Sequence, residues 1–133
     1  MRFRPGLAVL AIIALIAAAP AFAAVCMDTS MKQDEIIAAI NAAPGCEQAM
    51  KIFKDCEYGA SGDVLLGAAV ETKCEADFMS RLTAARKKAH SREMGVCDRK
   101  YANESGTMYR SFTAFCRAEV AQRYSRQARK AKP

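Results

Sequence analysis

The chain has 133 residues, enough for one domain and too short for two separate cores. Lysine and arginine number 20 against 14 acidic residues, a formal net charge of +6. A single histidine, His90, and the absence of any Cys-x-x-Cys pair speak against a zinc site, and no glycine-rich phosphate loop is present.

The first 23 residues read as a targeting segment. Arg2 and Arg4 form a basic start, Leu7 to Ala19 is an unbroken apolar run, and Ala21-Phe22-Ala23 presents small residues where a signal peptidase cuts. The apolar run is shorter than the ~20 residues that cross a bilayer, so the expectation is cleavage after Ala23 and no retained span. A lipid anchor on Cys26 is the alternative, although Val25 is bulkier than lipoprotein signals place there. The mature domain is then residues 24–133, exported to the periplasm or the cell exterior.

In that domain Thr29 or Ser30 is expected to cap a first helix carrying Asp34 and Glu35 in its first turn, where the helix dipole favours negative charge. Ile36, Ile37 and Ile40 supply its apolar stripe, and Pro44-Gly45 ends it. Ala49, Met50, Phe53 and Cys56 recur at helical spacing in a second helix over about 46–57, before a turn at Tyr58 to Gly62. A third helix, capped by Ser61, starts at Asp63. No proline interrupts the chain from there to Gly106, and one helix of ~40 residues would measure ~60 Å, too long for a domain of this size. A kink is therefore expected near Ser91 to Gly95. Cys74, Phe78, Leu82, Ala85 and Ala89 trace one face, and His90, Met94, Cys97 and Tyr101 a neighbouring one. A fourth helix spans Thr107 to about Gln127, with Met108, Phe112, Phe115, Val120 and Tyr124 inside, followed by a frayed basic tail over 128–133. No strand-length alternation occurs. The expected fold is all-α, a disulfide-stapled bundle of about four helices ending in an antiparallel hairpin.

The cysteines, Cys26, Cys46, Cys56, Cys74, Cys97 and Cys116, all follow the expected cut, and an even count in a small exported domain reads as a disulfide framework. Six cysteines allow fifteen pairings, and sequence alone does not choose among them. If each helix packs on the next, residues equidistant from a turn face one another. That symmetry favours Cys97 with Cys116, Cys46 with Cys74, and Cys26 with Cys56.

Charge is unevenly spread. Residues 24–80 carry 4 basic and 10 acidic side chains, whereas residues 81–133 carry 14 basic and 4 acidic. Arg81, Arg86, Lys87, Lys88, Arg92, Arg110, Arg117, Arg123 and Arg126 form the expected basic surface. Either the two halves neutralise each other, or the basic half meets an anionic partner such as lipid head groups or cell-wall polymers. Export makes nucleic acid a poor partner. His90 reads as a scaffold residue, and Glu71 with Glu75 as an exposed i, i+4 row rather than a catalytic pair. No enzyme, cofactor or metal is expected.

The segment Leu82-x-x-Ala85-Arg86, Arg92, Cys97, Gly106-Thr107-Met108-Tyr109, Cys116 and Arg123 resembles the exported domain family named for the lysozyme inhibitor LprI, with Cys74, Phe78 and Leu82 matching its first cysteine-bearing helix. The resemblance spans about residues 74–126 and departs from the family in lacking any tryptophan and the Asp-x-x-Leu-Asn segment. It implies a binding protein that inhibits lysozyme-type cell-wall hydrolases. A basic half would repel a basic lysozyme, so only residues 24–80 offer a docking face.

Overall fold

The computed structural model describes Cys26 and residues 31–132. The expected targeting segment over residues 1–23 and the expected caps Thr29 and Ser30 lie outside them. Five α-helices follow one another: α1 Gln33–Ala42, α2 Cys46–Asp55, α3 Asp63–Glu75, α4 Ala84–Lys100 and α5 Thr107–Lys130, with a 3-10 turn at Met79–Arg81. No strand occurs among the described residues.

The helix starts differ in detail from expectation. Lys32 occupies the cap position of α1, and its N–H donates to Glu35 Oε2 at 2.9 Å. Gly62, not Ser61, precedes α3. There the carboxylate of Asp63 accepts from the Tyr58 and Gly59 N–H groups at 2.8 and 2.9 Å, tying the preceding turn to the helix it starts. That turn places Gly59 at φ +65°, and Gly106 ahead of α5 sits at φ +116°, conformations that side-chain-bearing residues avoid.

The long third helix does not exist. α3 ends at Glu75, and α4 starts at Ala84 behind the extended cap residue Thr83, whose Oγ1 accepts from Arg86 N–H at 3.2 Å. α4 then runs unbroken through Ser91 to Gly95, where the kink was expected. The reversal doubles the chain back, so Ala85 is exposed, whereas His90, Met94 and Cys97 are buried. α5 extends to Lys130, past the end expected near Gln127. Met108 and Phe112, expected inside, are 47% and 42% exposed, on the first turns of α5.

α5 is the spine. It packs most extensively on α3, then on α4, and also on α2. α3 and α5 run parallel, joined by Asp63–Ser111, Glu71–Arg117 and Asp77–Ser125. Buried residues recur every three or four positions on both: Asp63, Gly67, Val70 and Cys74, against Ser111, Ala114, Ala118, Ala121 and Ser125. Gly67 permits the close approach, because a Cβ there would lie 3.0 Å from Ala114 Cβ. Phe53 of α2 stacks on Phe115 with centroids 4.0 Å apart.

All three expected cysteine pairs form. Cα separations are 5.3 Å for Cys26–Cys56, 4.5 Å for Cys46–Cys74 and 5.6 Å for Cys97–Cys116, within the range a disulfide requires. No cysteine is free. The framework belongs in an oxidising compartment.

Candidate functional site

α3 and α4 each pack on α5 far more than on one another, and a cleft lies between them with α5 as its floor. Arg117 crosses it. Its Nε and Nη2 donate to the two carboxylate oxygens of Glu71 at 2.9 and 3.0 Å, and Nη1 donates to Asp98 at 2.8 Å. This fork is rigid and planar, so it fixes the spacing of α3 and α4. The hydrogen bond to Glu71 raises the Arg117 pKa above its ordinary value, and Arg117 is a permanent cation. Glu71, expected on an exposed row, is thereby drawn into the structure.

The strap stands between two chambers. The outer one has a volume of about 820 Å³ and is lined by Val64, Ala68, Tyr101, Tyr109 and Arg110. Tyr101, Tyr109 and Phe112 form an aromatic cluster beside it, with centroids 5.6 to 5.9 Å apart, and Lys100 Nζ lies 5.2 Å from the Tyr101 ring centre. The second, smaller and shallower, has a volume of about 350 Å³, opens to solvent and is lined by Glu75, Met79, His90, Met94, Asp98 and Arg117. His90 is only 4% exposed, its ring set against Phe78 and Tyr124 with centroids 5.3 and 4.9 Å away. Burial lowers its pKa, so the imidazole is neutral at pH 7, while burial raises that of Glu75, with Glu71 adding to the effect.

The expected basic surface divides in two. Arg123 pairs with Glu93, and Arg126 Nε lies 2.6 Å from Glu47 Oε1. Arg129, placed by expectation in a frayed tail, also reaches Glu47, at 2.9 Å. Arg86 donates to Gln127 Oε1 at 3.1 Å with its guanidinium 5.2 Å from the Tyr124 ring centre, and Arg81 donates to the Asp77 carbonyl. With Arg117 strapped as well, much of the predicted basic face is internal glue between the two halves. Lys87, Lys88 and Arg92 remain exposed without a hydrogen bond or ion pair among the described residues, as do Arg99 and Lys100 on the same helix and Arg110 at the cleft mouth. Glu71, Asp98, Met79 and Met94 were not singled out as site residues by sequence. Met94 was placed on a helical stripe and Glu71 on a row with Glu75, which does not say what lies opposite; Met79 and Asp98 gave no advance signal.

No family model, curated protein or solved structure matches the chain.

Proposed function

We propose that this is an exported, non-enzymatic binding protein that docks on an anionic envelope component through the outer face of α4. One observation carries the reading. Lys87, Lys88, Arg92, Arg99 and Lys100 are exposed and pair with no carboxylate among the described residues, while the arginines of α5 from Arg117 to Arg129 are held by carboxylates of the rest of the chain. A helix that carries five cations in fourteen residues without an internal carboxylate partner favours phosphate- or carboxylate-bearing surfaces, whether lipid head groups or cell-wall polymers. Inhibition of a lysozyme-type hydrolase, implied by the LprI resemblance, would require an acidic docking face. Glu47, Asp63, Glu71 and Asp77 are occupied internally, which weakens that route.

The test is co-sedimentation of the mature, oxidised chain with vesicles of phosphatidylglycerol and phosphatidylcholine, in parallel with an anionic cell-wall polymer and with lysozyme. Each surface cation contributes about 1 kcal/mol, so Lys88→Gln with Arg92→Gln is expected to weaken binding about thirtyfold. The vesicle and polymer arms distinguish the two sources of anion. Equal binding to pure phosphatidylcholine, indifference to the double substitution, or binding only to lysozyme would overturn the proposal.

A further inference from the structure

The Nε2 atom of His90 is buried and has no hydrogen-bond partner among the described residues. An orphaned nitrogen of this kind is costly unless something occupies the space before it. The nearest charged atom, Glu75 Oε1, is 4.0 Å away, too far for a hydrogen bond. The solvent-open pocket that both residues line also contains Met79 and Met94, with Asp98 and Arg117 at its edge. His90 and Met94 lie one turn apart on the same face of α4, and Met79 comes from the 3-10 turn opposite.

We propose that Met79, His90 and Met94 form a binding site for a soft monovalent cation, Cu(I) or its analogue Ag(I), with Glu75 alongside as counter-charge. The donor set selects the ion. One imidazole and two thioethers suit Cu(I), whereas zinc requires thiolate, imidazole and carboxylate. Among the described residues no three His, Cys, Asp or Glu side chains are grouped to hold a metal, and every cysteine is locked in a disulfide. The local field is favourable, since Glu71, Glu75 and Asp98 outnumber the one cation among them, Arg117. Phe78 and Tyr124 hold the imidazole plane, so the ligand needs little reorganisation on binding. The site is distinct from the α4 surface proposed above, which lies on the opposite, solvent-facing side of the helix.

Ag(I) is the probe, because it needs no reductant and leaves the disulfides intact. Titration of the oxidised mature chain, followed by native mass spectrometry and calorimetry, is expected to give one tight Ag(I) per chain and to shift the ¹⁵N resonance of His90 Nε2. Met94→Leu preserves volume in the buried site and is expected to keep the helical circular dichroism while lowering Ag(I) affinity about tenfold or more; Met79→Leu should act likewise. Met108→Leu, at an exposed methionine outside the chamber, should change nothing. The assignment is overturned if both Met94→Leu and Met79→Leu bind Ag(I) as tightly as the parent. A static His90 resonance, or Zn(II) binding at the same affinity, would overturn it equally.

Discussion

Asp63 and Ser111 join α3 to α5 through a 2.6 Å hydrogen bond in which the serine hydroxyl donates, and two heptads further along Asp77 and Ser125 repeat it at 2.5 Å. Both pairs are separated by the same 48 residues, so the two helices hold a constant register along the whole seam. Between these polar ends the seam is made of small residues, which gives close approach but little directional information. The carboxylate–hydroxyl pairs supply the register, in the way a buried polar residue specifies a coiled coil.

Asp63→Ala should therefore be severe. Asp63 is fully buried and serves three donors, the Tyr58 and Gly59 amides and Ser111 Oγ. Removing the acceptor strands all three, for an expected loss of about 2–4 kcal/mol by urea denaturation, against about 1 kcal/mol for Ser111→Ala.

Two glycine substitutions should part in sign. In Gly67→Ala the new methyl would meet Ala114 Cβ at 3.0 Å and its carbonyl oxygen at 3.2 Å, so the helices must separate, at about 1–3 kcal/mol. In Gly95→Ala it meets only the guanidinium end of Arg99, which can swing away, and helix propensity should add about 0.5–1 kcal/mol. Melting temperatures of the two variants on opposite sides of the parent would verify the seam.

Acid should weaken the contact between α2 and α5. Hydrogen bonding to Arg126, opposed by burial and assisted by Gln122, lowers the pKa of Glu47 to about 2. A depressed carboxylate contributes stability that is complete above its unfolded value near 4.5 and is lost as pH falls from there toward 2. Solvent access at the arginines reduces the contribution to about 1–2 kcal/mol. Denaturation midpoints measured from pH 6 to pH 2 should fall more steeply for the parent than for Glu47→Gln, and identical slopes would refute the assignment.

Reduction should melt most of the helix. The bridges close loops with sequence separations of 30, 28 and 19 residues, each stabilising by about 3 kcal/mol, in a domain whose central seam is alanine and glycine rather than leucine. Circular dichroism after reduction is the measurement, and full retained helicity would show that packing alone suffices.

The cysteine pairing was legible because it depends only on where the turns fall, and Pro44-Gly45, Tyr58 to Gly62 and Gly106 mark those turns openly. The reversal at Ala76 to Thr83 was not, because it contains neither glycine nor proline. Excess length announced a break, but Gly95 was the more conspicuous candidate and proved to be an ordinary helical position. Thr83, a good capping residue ahead of Ala84, was the available clue. The cleft was beyond sequence for a related reason. Glu71, Asp98 and Arg117 meet only because α3 and α5 are parallel, and Met79 reaches His90 only because the chain doubles back. The opposite charges of the two halves did announce that they could pair; which arginines would be engaged and which left free is set by the faces α5 turns inward.

The helix on which the rest of the molecule leans is also the last of the five in chain order. Until α5 follows Gly106, α3 packs on α1 and α2 alone, its seam of small residues stays uncovered, and Arg117 cannot yet span the cleft. Cys26–Cys56 and Cys46–Cys74 can close within the first half of the chain, whereas Cys97–Cys116 must wait for α5. The first two bridges can therefore close independently of the third, and the cleft that Arg117 spans is completed together with the last of them.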